Sequence, residues 1–127
     1  MILYVTLGTS DLVKARAFYD AALTPLGYVL SGSDPNEIGY SMPGDSRTRI
    51  WVTHPYNEEP ATFGNGSMLA LEAGSRAAVD AFYQGGIAAG GKDEGAPGLR
   101  PYGPNFYAAY IRDADGNKLS AVCEKPE

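Results

Sequence analysis

Alternating apolar and polar positions open the chain and give way to a helical spacing. Residues Ile2–Gly8 alternate, with Leu3, Val5 and Leu7 on one face, which is typical of a half-buried strand. Over Leu12–Leu23 the apolar residues recur every three or four positions, which predicts an amphipathic helix. A helix that follows a strand so closely packs back on it. We therefore expect the helix to cover the Leu3/Val5/Leu7 face and to leave the opposite face free.

The polar residues between the strand and the helix are expected to cap the N-terminus of the helix. Thr9 or Ser10 is predicted to cap it, and Asp11 suits the positive end of the helix dipole. Pro25 and Gly27 follow the last apolar position, so the helix is expected to end there.

The strand and helix unit occurs twice. The tripeptide Ala-Phe-Tyr at 17–19 recurs at 81–83, and at the same offset Tyr4 corresponds to Met68. Ser75 precedes the second helical pattern as its predicted cap. The duplication indicates two modules of the same architecture.

Strand patterns and turn residues fill the rest of each half. Residues 90–103 are rich in glycine and proline and show little strand character beyond their edges, and Asp113–Asn117 is a hairpin turn of the Asp-Gly type. The aspartates of that turn are interpreted as local backbone acceptors. The remaining predicted strands are Tyr28–Ser31, Glu37–Met42, Arg47–His54, Ser67–Ala73, Phe106–Arg112 and Lys118–Cys123.

The order of elements is strand, helix and three strands, twice. This predicts an α+β fold of two βαβββ modules, the first at about 1–57 and the second at about 66–127, with a linker at about 56–65. Each helix covers only one face of its sheet, so the helix-free faces are expected to enclose a cavity.

The composition argues against several classes of function. A hydrophobic content of 44% fits a globular protein, and no apolar run is long enough to span a membrane. The net charge of −5 comes without a basic stripe, which argues against nucleic acid binding. The single cysteine, Cys123, fits a reducing compartment, so we expect a cytoplasmic protein.

Three segments resemble the vicinal oxygen chelate superfamily, the group of glyoxalases, bleomycin resistance proteins and extradiol dioxygenases. They are Tyr4–Tyr19 (YVTLGTSDLVKARAFY), the tripeptide at 81–83, and Tyr107–Val122 (YAAYIRDADGNKLSAV), in which Ala114 stands where the family has proline. The resemblance spans nearly the whole chain. It implies the two-module fold predicted above and a homodimer.

Metal-dependent members hold a divalent ion with four side chains, usually His, Glu or Gln, from the first and last strands of each module. The matching positions here carry residues that are poor ligands for such an ion, so we expect neither a metal site nor a cofactor, and an aromatic and apolar cavity instead. The only histidine, His54, is out of phase with the matching position on its strand and is interpreted as a strand-end residue. The four positions are Tyr4, Trp51, Met68 and Ser120.

Two charged residues and three tyrosines are further candidates. Arg49 and Glu72 lie on the same strand faces as the four positions. They would form an ion pair with each other, or either would bind a ligand of opposite charge. Alternatively, they are solvent-exposed residues at the ends of their strands. Glu72 is also a weak candidate for a general base. Tyr107 and Tyr110 point to opposite faces of one strand, so only one lines the cavity, and Tyr102 in the preceding loop is placed to close over it.

The sequence thus predicts a small-molecule-binding protein without a metal. Its ligand is expected to be aromatic or cationic, because tyrosine and tryptophan bind flat or positively charged groups. One alternative is a glyoxalase-like lyase, isomerase or dioxygenase with an atypical site that uses Glu72 or His54. Another is a structural or regulatory dimer whose cavity is filled by Trp51 and Met68.

Overall fold

Two four-stranded sheets, each with one α-helix against its buried face, make up the structure, a computed structural model that describes residues 1–127. Neither helix is long and apolar enough to cross a bilayer. The first module contains β1 (Val5–Gly8), α1 (Leu12–Leu23), β2 (Val29–Ser33), β3 (Glu37–Ser41) and β4 (Ile50–Thr53), and the second contains β5 (Leu69–Glu72), α2 (Arg76–Ala88), β6 (Lys92–Leu99), β7 (Tyr107–Arg112) and β8 (Lys118–Cys123).

The two sheets have the same strand order. The first runs β1-β4-β3-β2 and the second β5-β8-β7-β6, with the edge strands β1 and β5 parallel to their partners and the other pairs antiparallel. Thr6 lies opposite Trp51, and Ala70 lies opposite Ser120. Trp51 and Ser120 therefore occupy equivalent places, and the predicted α+β fold of two βαβββ modules is confirmed.

The helix caps follow the duplication but differ from the prediction for α1. Asp11 caps α1 by accepting a hydrogen bond from the Lys14 amide (3.1 Å), and Ser75 caps α2 in the same way. The prediction that Thr9 or Ser10 caps α1 is wrong. The Ser10 hydroxyl instead accepts a hydrogen bond from a backbone amide of the segment that joins the modules.

The first strand is shorter than its alternating pattern predicts. It begins at Val5, whose amide donates to the Arg49 carbonyl oxygen (2.9 Å). Leu3 was expected to reach the core, but it is 54% exposed, because the β1–β4 ladder begins only at the pair Val5 and Ile50. Residues 1–4 consequently leave the sheet as an exposed apolar arm.

The region at 90–103, predicted to have little strand character, contains the eight-residue strand β6. It pairs with β7 through two register shifts, one between Asp93 and Gly95 and the other between Gly95 and Gly98. Glycine and proline erase the side-chain alternation from which a strand is recognised. The backbone ladder with β7 does not depend on that alternation.

Both modules contribute to a single core. One cluster of 19 buried residues takes in side chains from both helices and both sheets. The helices approach closely at Gly85, where a β-carbon would lie 2.6 Å from the Ala21 carbonyl oxygen. At the neighbouring Gly86 a β-carbon would lie 3.7 Å from the Ala22 β-carbon and 2.5 Å from Ile111. Small residues at equivalent positions of the repeat thus bring α1 and α2 together.

A buried carboxylate ties the two modules to each other. Asp113, at the start of the β7–β8 turn, accepts hydrogen bonds from the Tyr19 hydroxyl (2.5 Å) and the Asn117 side-chain amide (2.8 Å). Its other oxygen accepts from the backbone amides of Asp115 and Asn117, as the turn prediction requires. The Asn117 amide also donates to the Gly8 carbonyl oxygen at the end of β1 (2.9 Å). We call these five hydrogen bonds the Asp113 clasp.

The Tyr19 phenol stays protonated in the clasp. Burial, followed by the charge of Asp113 and the hydrogen bond to it, raises the pKa of Tyr19 well above its ordinary value. The phenol therefore keeps its proton at neutral pH and can donate it to Asp113.

We expect Tyr19→Phe to lower the free energy of unfolding by about 1.5–3 kcal/mol, because a hydrogen bond to a charged group is lost while Asp113 stays buried. Urea unfolding followed by circular dichroism measures the change. Tyr56→Phe is the matched control, since that side chain is fully exposed. If the two variants unfold at the same urea concentration, the clasp does not stabilise the fold.

Candidate functional site

Each sheet has one face without a helix, which we call its open face. The strand register assigns alternate residues to it, since residues paired across a ladder share a face. On the first sheet the open face carries Thr6, Gly39 and Trp51, and on the second it carries Ala70, Tyr110 and Ser120.

The indole of Trp51, on β4, covers one glycine on the adjacent strand β3 and one on β2 beyond it. A β-carbon at Gly39 would lie 2.8 Å from its Cζ3 atom, and one at Gly32 would lie 3.2 Å from its Cη2 atom. Gly32 and Gly39 are paired across the β2–β3 ladder. The ring can cross the sheet only because both positions lack a side chain. We call Trp51 and these glycines the Trp51 shelf.

A shallow depression lies beside the Trp51 shelf. Its volume is about 260 Å³. Tyr4, half exposed, lines it together with Trp51, so the structure brings together the two sequence-predicted residues of the first module. The other lining residues are Ser46, Arg47 and Thr48.

The second sheet carries a similar shelf, displaced by one strand. Here Ser120 takes the place equivalent to Trp51, and the large ring is Tyr110 on the adjacent strand β7. A β-carbon at Gly95, the β6 partner of Tyr110, would lie 2.9 Å from the Tyr110 ring. We call Tyr110 and Gly95 the Tyr110 shelf.

The Tyr110 shelf forms one wall of a pocket of about 530 Å³. The Arg100 guanidinium lies 5.5 Å and the Lys118 ammonium 5.6 Å from the centroid of the Tyr110 ring, which are cation–π distances. Tyr102, 71% exposed, stands at the rim with its ring edge-on to Phe106 at 5.3 Å. Met68 also lines this pocket.

The four positions implied by the family resemblance do not share one pocket within the chain. Tyr4 and Trp51 line the first depression, and Met68 lines the pocket of the Tyr110 shelf. Ser120 is fully buried on the open face, and its hydroxyl has no hydrogen-bond partner. The two modules therefore present two half-sites.

Tyr107 does not line either half-site, and its predicted place there is corrected. It lies on the helix-covered face, where its hydroxyl donates to Asp80 of α2 (2.7 Å) and its ring receives Arg76 at 5.3 Å. The hydrogen bond to Asp80, with burial, raises the pKa of Tyr107. Tyr110, three residues further on, is the tyrosine of β7 that faces the open side.

Arg49 is also engaged elsewhere. Its guanidinium binds Asp45 through two nitrogens (2.6 and 3.1 Å) and donates to the Leu3 carbonyl oxygen (3.0 Å). The hydrogen bond from Arg49 lowers the pKa of Asp45. Of the alternatives for these two residues, the ion pair between Arg49 and Glu72 is not formed. Glu72 is exposed and lines neither half-site.

The residues present do not fit the divalent ion that the family resemblance implies. No three His, Cys, Asp or Glu side chains are placed to hold a metal. His54 is exposed, and its Nδ1 atom lies 3.2 Å from the Thr9 carbonyl oxygen. A phenol, an indole, a thioether and a hydroxyl occupy the four expected positions, and such a set lacks the imidazole or carboxylate that catalytic sites use.

Sequence reasoning missed the shelf glycines and Arg100. Gly39 stands in the middle of the predicted strand Glu37–Met42, and a glycine inside a strand is a signal for the close approach of another group. Arg100 directly follows β6, in the region whose strand character was underestimated.

Comparisons with known proteins agree with this architecture. A family model described as the Glyoxalase/Bleomycin resistance protein/Dioxygenase superfamily matches residues 1–120. A solved glyoxalase/bleomycin resistance protein from Albidiferax ferrireducens T118 is 40% identical, with 97% of each chain covered and a TM-score of 0.84. A comparison with curated proteins finds no match.

More distant structures share the fold alone. A glyoxalase-related enzyme from Fulvimarina pelagi is 22% identical over 97% of this chain and 87% of that chain, with a TM-score of 0.76. TnmS3, an antibiotic binding protein from Streptomyces sp. CB03234, is 20% identical over 98% of this chain and 96% of that chain, with a TM-score of 0.64.

We expect Gly39→Ala to displace the indole of Trp51, because the new methyl group would lie 2.8 Å from the ring. The displaced ring gains exposure, so the emission of the only tryptophan should shift to longer wavelength and become easier to quench with iodide. Gly74→Ala is the control, since a β-carbon there meets nothing within 4 Å. Identical spectra for the two variants would contradict the described shelf.

Proposed function

Because this chain belongs to the glyoxalase/bleomycin resistance protein/dioxygenase superfamily, we propose that it binds an aromatic small molecule without using a metal ion. The observation that carries the proposal is the pair of shelves. Each open face holds one large ring, Trp51 or Tyr110, over glycine. The family resemblance implies that metal-dependent members carry a ligand at the position of Trp51.

The shelves suit flat ligands for a physical reason. A ring that is fixed by the strand beneath it loses little conformational entropy when a second ring stacks on it. Aromatic pairs contribute about 0.5–1.5 kcal/mol beyond the area they bury. Simple binding also needs no catalytic group, which agrees with the exposed position of Glu72. That a protein of this fold is described as antibiotic binding supports the same kind of function.

We also propose that the protein acts as a homodimer. The strands β1 and β5 are sheet edges with unpaired backbone groups on one side. Beside β1, the apolar arm at 1–4 is exposed, with Ile2 at 75%. A second copy is the occupant that fits, because one chain holds two separate half-sites and association would combine them into one cavity.

Three naphthalene probes of similar size test the binding proposal: 2-naphthoate, 2-naphthamide and 2-naphthylmethylamine. By calorimetry, at least one should bind with a Kd below about 1 mM. Trp51→Ala and Tyr110→Ala should each weaken that binding about fivefold or more through lost stacking. Tyr56→Ala, on an exposed side chain, should not.

Two results would contradict the binding proposal. One is that none of the probes binds, or that binding is unchanged in both shelf variants. The other is that exhaustive dialysis against EDTA abolishes binding and that a divalent ion restores it, since this would make the metal part of the site.

We expect sedimentation equilibrium to give twice the chain mass of 13.5 kDa at micromolar concentration. Leu3→Lys should shift the protein toward the monomer, because it places a charge in the apolar arm. Val13→Lys is the control, since Val13 is an apolar residue on α1 that is even more exposed than Leu3. A wild-type protein that stays monomeric at 100 μM, or a Leu3→Lys variant as dimeric as the control, would refute the proposed dimer.

A further inference from the structure

The pocket of the Tyr110 shelf holds positive charge that nothing in the chain neutralises. The chain forms three ion pairs, and neither Arg100 nor Lys118 takes part in any of them. The acid that lines the pocket, Glu94, is already paired with Arg112 (2.8 Å). This excess of positive charge occurs in a protein whose net charge is −5.

The Arg100 side chain is held in place by neutral groups. Its guanidinium donates to the backbone carbonyl oxygens of Ala96 (2.6 Å) and, more weakly, Leu99 (3.4 Å). β-carbons at Gly95 and Gly98 would lie 3.3 and 3.0 Å from its nitrogens. Two glycines thus leave room for the guanidinium, and carbonyl oxygens orient it without cancelling its charge. Its remaining N–H donors are available to an anion.

Lys118, on β8, is the second cation that lines the pocket. It precedes Leu119 on β8 and pairs with Arg112 of β7, and its ammonium lies near the same ring as Arg100, at 5.6 Å from the Tyr110 centroid. Ser120, the β8 partner of Tyr110, is fully buried and does not line the pocket. An aromatic wall with two cations over its ring, neither of them in an ion pair, is chemically matched to an aromatic anion.

The first half-site has the same character. Arg47 lines the depression beside Tyr4 and Trp51 and, like Arg100, takes part in no ion pair. Aromatic surface next to an uncompensated cation therefore occurs on both open faces.

We propose that the ligand is an aromatic acid, whose ring packs in the pocket of the Tyr110 shelf and whose carboxylate binds Arg100 and Lys118. This inference rests on the proposed binding function and narrows its ligand class. It replaces the cationic ligand that the sequence suggested, because a cation in this pocket would be repelled by both side chains. Neutral rings lack the charge that these residues recognise.

The three naphthalene probes separate this inference from the binding proposal. At 20 mM ionic strength, 2-naphthoate should bind about tenfold or more tightly than 2-naphthamide, and 2-naphthylmethylamine should bind most weakly. The preference for the acid should shrink at 500 mM salt, because the charges are partly exposed. If 2-naphthamide or the amine binds as tightly as the acid in a Trp51-dependent manner, the binding function stands and the acid inference fails.

Charge-removing variants identify the residues involved. Lys118→Gln and Arg100→Gln should each weaken 2-naphthoate about fivefold or more and leave 2-naphthamide unchanged, whereas Arg100→Lys should retain part of the affinity. Lys125→Gln, which removes the same charge from the exposed C-terminal segment, is the control. An equal loss in that control, or no loss in either pocket variant, would overturn the assignment.

Discussion

The buried carboxylate of Asp113 is the contact on which the arrangement of the two modules depends. It receives donors from α1, from its own turn and from the amide that also reaches the end of β1. A buried carboxylate is stable only when its oxygens accept hydrogen bonds, so the fold depends on the position of each donor. The clasp therefore fixes where the first sheet stands relative to the second, and with it the positions of the two open faces.

The duplication was retained where the modules touch and lost where they face solvent. The helix caps Asp11 and Ser75 and the close contact at Gly85 are equivalent between modules. On the open faces, the position of Trp51 in the first module is occupied by Ser120 in the second. The large ring of the second module is that of Tyr110, on the adjacent strand β7. The small residue beside each ring is what leaves space for it.

The sequence predicts the elements that follow from side-chain periodicity. It does not predict features that depend on contacts with residues distant in the chain or on the conformation of a turn. Two modules, both helices and β8 follow from local patterns. The alternation also put Tyr107 and Tyr110 on opposite faces, but only the bond from Tyr107 to Asp80 shows which one the helix covers. The salt bridge of Arg49 with Asp45 depends on the conformation of the turn before β4, which no periodicity encodes. β6 depends on backbone pairing across bulges.

The division of each sheet into a helix-covered face and an open face has an evolutionary consequence. Core residues such as Leu119 and Ala121 alternate along β8 with Ser120, so neighbours in sequence are under separate selection. A substitution at an exposed position of the open face, such as Thr6 or Ala70, removes little from the shared core and carries a small stability penalty. Side chains that contact a ligand can therefore change with little effect on the core, but a ring as large as that of Trp51 also requires glycine at positions 32 and 39.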